Sequence, residues 1–155
     1  MKQYPIPMVP GPVRVPPEVL AVYNMNYGSG DLESDFVDLY NQTEANLQKL
    51  LETQNKVVIQ TGEGMISLWS ALKSCLIPGD RVLSISTGIF GSGIGEMARS
   101  LGAKVQTLTF PFDQTIHNWE EIENAITDFK PKLITAVHCE TPSGTLNPIA
   151  RLGDL

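Results

Sequence analysis

From residue 57 onward the chain repeats a cycle of strand, turn and helix, and this cycle restricts its possible folds more than any other feature. Val57-Val58-Ile59-Gln60 is a short β-branched run followed by the turn Thr61-Gly62-Glu63-Gly64. Met65, Leu68, Trp69, Leu72, Cys75 and Leu76 then recur at i, i+3, i+4 and i+7, an amphipathic helix that Pro78-Gly79 stops. Arg81 to Ser86 reads as the next strand, with a glycine-rich turn and a helix from about Phe90 to Leu101 behind it. Lys104 to Phe110, a helix capped by Asn118 and running to about Phe129, and the strand Lys132 to His138 continue the pattern. Strands and helices alternating through short turns imply βαβ units: an α/β, three-layer fold with a parallel or mixed sheet flanked by helices. In such sheets ligands bind beyond the carboxyl ends of the strands. Three places follow: 61–65, 87–93 and 138–145.

Ahead of the cycle the chain behaves differently. Pro5, Pro7, Pro10, Pro12, Pro16 and Pro17 fix φ and withhold backbone donors, so the start reads as an extended arm. Pro17 suits the first turn of a short helix to about Met25, and a loop at 26–30 follows. The expected organisation is therefore an arm, short helix and loop over 1–30 and one larger unit over 31–155. That unit opens with a helix from Ser34 to Glu52 whose apolar stripe includes Phe36, Val37, Leu39, Tyr40, Leu47, Leu50 and Leu51.

Charge and composition narrow the partners. The 155 residues carry a formal charge of −6 and no Lys/Arg cluster in sequence, which disfavours nucleic acid and anionic membrane surfaces. No segment approaches the ~20 consecutive apolar residues of a membrane span, and the start lacks the apolar core of a signal peptide. Cys75 and Cys139 lie in apolar segments far apart, the usage of reduced, buried thiols in a cytoplasmic protein.

Each strand end carries its own chemistry. Gly62-Glu63-Gly64-Met65 joins a strand to a helix N-terminus, where free N–H groups and the helix dipole can hold an anion, or where glycines simply allow a tight turn. A carboxylate at Glu63 repels a phosphate there unless it turns away. Gly91 and Gly93 form a G-x-G pair, but Glu96 stands where a dinucleotide fingerprint has its third glycine, so a nucleotide-binding module is only an alternative. Phe90 offers either a core aromatic or a flat surface for a heterocycle. His138, Cys139 and Glu140 are successive strand residues that point to opposite faces and cannot converge on one metal ion. Thr141, Ser143 and the turn's backbone are the better groups for a ligand.

Taken in order, Pro10-Gly11-Pro12, Thr61-Gly62-Glu63-Gly64, Pro78-Gly79-Asp80-Arg81-Val82, Gly88-Ile89-Phe90-Gly91 and His138-Cys139-Glu140-Thr141-Pro142-Ser143-Gly144 resemble the N-terminal part of class V, fold-type I aminotransferases. The likeness is to the alanine–glyoxylate and serine–pyruvate branch and covers nearly the whole chain. It implies a pyridoxal 5′-phosphate enzyme that moves an amino group from a small amino acid, alanine or serine, to a 2-oxo acid, glyoxylate or pyruvate. By that resemblance Gly62, Glu63, Gly64 and Met65 lie at the cofactor phosphate, Phe90 stacks on the pyridine ring and Thr141 bonds near its phenolic oxygen. Gly11 then borders the substrate pocket at a homodimer interface.

Two departures from the family stand out. Glu63 occupies a position where a small residue is common, and a pyridoxamine–pyruvate transaminase branch resembles this sequence in having Glu there. In that branch the vitamer is a substrate without a phosphate. The second departure is the family's Schiff-base lysine, which follows the His-x-Glu-Thr/Ser region by at least one further βαβ unit and is expected beyond Leu155. None of Lys2, Lys49, Lys56, Lys73, Lys104, Lys130 and Lys132 takes its position. The chain alone is therefore expected to be inactive without a lysine to supply the base for proton transfer, and to need a complementing C-terminal segment, in the same chain or another.

Overall fold

A computed structural model describes residues 13–155, so Gly11 and the proline-rich start lie outside the described residues. The chain divides into two compact units, with the boundary between Gly62 and Glu63.

The first unit contains α1 (Pro17–Ala21), a 3₁₀ turn at Val22–Asn24 and α2 (Ser34–Leu50). Pro17 sits in the first turn of α1, where its missing N–H costs nothing. The apolar residues on α2 differ from expectation, since Val37, Leu39, Tyr40 and Leu50 stay exposed. The buried residue of α2 is Glu44, whose carboxylate accepts from the Val57 N–H (3.1 Å) and lies 3.4 Å from Lys56 Nζ. Val57–Gln60, expected as a strand, forms no ladder. A strand needs a neighbour to exchange hydrogen bonds with, and among the described residues none pairs with this run; Val58 is 84% exposed.

The second unit is a three-layer α/β arrangement built from α3 (Gly64–Cys75), β1 (Arg81–Ser86), α4 (Ile89–Ser100), β2 (Lys104–Thr109), α5 (Trp119–Phe129) and β3 (Leu133–Ala136). The three strands pair in parallel in the order β2-β1-β3. The central β1 is buried from Val82 to Ser86, as a strand covered on both faces must be. Its alternation assigns the layers. Val82 packs with Leu72 and Leu76 of the α3 side and with Ile94, Met97 and Ala98 of α4, whereas Leu83 and Ile85 pack with Ile122 and Ala125 of α5. Ser84 and Ser86 share the face of Val82, so beyond Val82 β1 presents only small side chains to Gly91 and Gly95 of α4.

β3 is shorter than expected because its register with β1 runs from Val82–Leu133 to Ile85–Ala136 and stops there. The His138 carbonyl accepts instead from the Asn147 N–H (2.7 Å). Residues 139–146 fold into an antiparallel hairpin, β4 (Cys139–Glu140) and β5 (Thr145–Leu146), before a short α6 (Ala150–Gly153). Neither cysteine is buried, contrary to expectation. Cys139 alternates outward where Glu140 points in, and Cys75, on the last turn of α3, shares the face of Leu72 but lines an open recess beside it. No helix among the described residues is long and apolar enough to cross a membrane.

Candidate functional site

The carboxyl ends of β1 and β3 meet the N-terminus of α4, and that helix begins without a capping side chain of its own. Its N-cap is Gly88, so the first N–H groups of α4 require acceptors from elsewhere in the chain. Glu140 supplies them. Its carboxylate accepts from the Phe90 N–H (2.7 Å) and the Gly91 N–H (3.2 Å), and the residue is fully buried. A negative charge at the positive end of the helix dipole with two N–H partners is a well-compensated way to bury a carboxylate. Gly88 makes room for it: a Cβ there would stand 2.4 Å from Glu140 Cγ.

This clamp fixes the relation between two expected site residues. Phe90 contributes one of the two amides and is 37% exposed, and Thr141 follows Glu140 directly. The Thr141 hydroxyl makes no hydrogen bond among the described residues. Ser143, the other expected ligand group, is already engaged with the Glu140 carbonyl (3.3 Å) and the Thr145 hydroxyl (2.8 Å). Gly91 and Gly95 of α4 serve packing against β1. A Cβ at Gly91 would lie 2.8 Å from Ser86 Cα and one at Gly95 would lie 2.7 Å from Ser84 Oγ. The amides that a pyrophosphate would use at this helix end are held by Glu140.

Asn147 locks the corner from beneath. Its amide donates to Thr87 Oγ1 (2.8 Å) and the Val137 carbonyl (2.8 Å), and its oxygen accepts from Thr115 Oγ1 (3.2 Å) and the Ile116 N–H (3.1 Å). All four polar positions of the side chain are satisfied, and the residue is 2% exposed. One amide thus joins the end of β1, the end of β3 and the loop before α5. The sequence reading passed over both Glu140 as a cap and Asn147. A detectable signal for the first was a helix opening on Gly88-Ile89 with no Ser, Thr, Asp or Asn to cap it.

At the first strand-end position Glu63 is the N-cap of α3, and its carboxylate accepts from the Met65 N–H (2.9 Å). It does not turn away from the helix end. Gly64 leaves open space, since a Cβ there would meet nothing within 4 Å, and Met65 packs against the Leu72–Ile94 core. Gly62, with φ at 141°, ends the preceding unit in a conformation that favours glycine.

A family model for the class-V aminotransferases matches residues 12–155. The chain belongs to that family. A pyridoxamine–pyruvate transaminase from Mesorhizobium japonicum is 30% identical over an alignment covering 100% of the chain and 41% of the relative. An (S)-ureidoglycine–glyoxylate transaminase from Bacillus subtilis is 32% identical over 95% of the chain and 35% of its own length. Among solved structures, an alanine–glyoxylate aminotransferase from Nostoc sp. superposes with a TM-score of 0.86 at 27% identity, covering 99% of this chain and 42% of that one. The chain thus spans about two fifths of the length of the class-V relatives it matches, and its α/β unit is the matching part of the pyridoxal-phosphate transferase fold.

The class-V cofactor can be tested against these residues. At the ring end the residues suit the group: Phe90 is partly exposed, its amide is held by the residue before Thr141, and the Thr141 hydroxyl is uncommitted among the described residues. The phosphate end fits only if Glu63 releases the Met65 amide, because both anions need the same donor.

Proposed function

We propose that this chain forms the cofactor-facing N-terminal portion of a pyridoxal 5′-phosphate-dependent aminotransferase that moves the amino group of alanine or serine to glyoxylate or pyruvate. The observation that supports this reading is the Glu140 clamp, which ties the backbone of Phe90 to the residue before Thr141 at the strand ends. Phe90 would hold the cofactor ring by stacking and Thr141 would donate to its phenolic oxygen, while Glu63, Gly64 and Met65, with Gly62 before them, lie where the phosphate end would be held. When bound, the cofactor supplies an electron sink for the carbon that loses its proton. The chain's own part is to orient that ring and fix its polar edge. In this reading a lysine that the family resemblance puts after the His-x-Glu-Thr region moves the proton, while Lys104, Lys130 and Lys132 lie at the opposite end of the strands and Lys73 on the last turn of α3. The active form is then a homodimer or a pairing with a complementing C-terminal segment, with Gly11 of the arm bordering the substrate. Two unpaired thiols agree with a reducing, cytoplasmic setting.

The test is transfer by the protein supplied with the phosphorylated cofactor: alanine with glyoxylate, serine with glyoxylate and serine with pyruvate each yield the exchanged pair, and Phe90→Ala weakens cofactor binding about tenfold, the scale of one lost stacking contact. Absence of transfer with all three pairings overturns the reading.

Glu63 favours a second reading, in which unphosphorylated pyridoxamine reacts with pyruvate. Its carboxylate already occupies the Met65 amide, so a phosphate would have to displace a charge of its own sign. Under this reading Glu63→Ser shifts affinity from free pyridoxamine toward the phosphorylated form; if the variant leaves that preference unchanged, Glu63 does not set it.

A further inference from the structure

The strands begin at a cationic recess, at the end of the sheet opposite the site just described. Arg81, Lys104, Lys130 and Lys132, with Gly79 and Asp80, line a cavity of about 280 Å³. The strand register gathers them. Arg81 is opposite Lys104 across β1 and β2, and the Lys132 N–H donates to the Arg81 carbonyl (2.8 Å). The first residues of β1 and β2 and the residue just before β3 therefore present a cation at one level, and Lys130 adds a fourth from the C-cap of α5. These are four of the 11 Lys and Arg residues in a chain whose net charge is −6.

Compensation within the chain is incomplete. Asp80 is the one carboxylate among the lining residues, and it is bonded to Lys132 (2.6 Å) and to the Ile77 N–H (2.9 Å). Arg81, Lys104 and Lys130 form no ion pair within 4.0 Å among the described residues. The helix dipole accounts for a cation at Lys130 but not for the three at the strand starts. Two members are held in place: Lys132 by Asp80, and Arg81 through Nε, which donates to the Lys130 carbonyl (3.0 Å). Like charges crowded in a recess repel unless a counter-charge joins them. Moreover, Lys130 adopts φ 48°, a left-handed conformation in which glycine would be less strained.

We propose that this recess binds a small tetrahedral polyanion of the phosphate class, separately from the strand-end site, which lies about 17 Å away along the six residues of β1 at ~3.3 Å per residue. A guanidinium with uncommitted N–H groups beside ammonium donors suits a phosphoryl group carrying two negative charges. The proposal does not depend on the aminotransferase reading.

Calorimetric titration of the full protein with inorganic phosphate at low ionic strength, against a chloride control, tests it, and a second arm with glycerol phosphate separates a free anion from an ester-borne one. Saturable binding of either anion is expected, weakened at least fivefold in both Lys104→Gln and Lys130→Gly. The glycine variant removes a cation while relieving the backbone, so its melting temperature should not fall. No saturable heat with either anion, or affinities unchanged in both variants, overturns the site.

Discussion

Glu140 shows how much one side chain can decide here. It is the acceptor for two buried N–H groups, and truncating it leaves both without a partner. Each orphaned buried donor costs about 1–3 kcal/mol, so Glu140→Ala should lower unfolding free energy by about 2–6 kcal/mol in urea denaturation, and Glu140→Gln by less, since one acceptor survives. A loss no larger than that of an exposed alanine substitution would mean the clamp contributes nothing. Asp80 provides a pH-dependent counterpart. The Ile77 N–H first, then the hydrogen bond from Lys132, hold its carboxyl below the usual carboxylate range. A carboxylate whose pKa is lowered on folding stabilises the protein above its unfolded pKa and loses that contribution as the pH falls through the folded one. The stability difference between the parent and Asp80→Asn should therefore be full at neutral pH and shrink in strong acid.

Among the elements, α4 carries three glycines with three different neighbourhoods. Gly91 and Gly95 press against β1, where added methyls would meet Ser86 Cα and Ser84 Oγ, whereas Gly93 faces nothing within 4 Å. Gly93→Ala should stabilise by about 0.5–1 kcal/mol, through helix propensity alone. Gly91→Ala should destabilise by about 1–3 kcal/mol, because backbone must move to admit it; thermal melts of the two variants should shift in opposite directions. The same helix marks what could be read in advance. β1, α4, β2 and α5 were legible because periodicity, Gly102 and the Asn118 cap are local signals, and Asn118 Oδ1 does accept from the Glu121 N–H (3.3 Å). The hairpin at 139–146 was not, since its strands are two residues each and owe their existence to contacts with distant segments. Val57–Gln60 misled for the complementary reason: β-branched composition signals a strand, but a ladder needs a partner. Within the candidate site, Phe90 and Thr141 could be placed from their strand ends, but the residue that joins them could not, because Glu140 acts across 50 positions of sequence.

For the molecule as a whole, the parallel sheet has three strands and therefore two outer edges, on β2 and β3. Beside it Ile66, Leu68, Trp69 and Ile77 remain exposed at α3 and its exit. Parallel sheets are ordinarily covered on their faces and blunted at their edges. The 155-residue polypeptide on its own should accordingly self-associate, and because its net charge of −6 opposes association, added salt should promote it. Sedimentation across a salt series checks this: a single monomeric species at every salt concentration would show that these surfaces are innocuous.

The Asn147 amide has a consequence for the order in which the protein assembles. Of its four hydrogen bonds only the one to the Val137 carbonyl can be made within the local segment, and the other three reach Thr87, Thr115 and Ile116, 31 to 60 positions away. Closing such a loop is entropically costly before the sheet exists and cheap afterwards. The three distant bonds of the corner that carries Thr141 should then set late in the folding of the unit. The competence of that corner certifies that the segments it joins have folded.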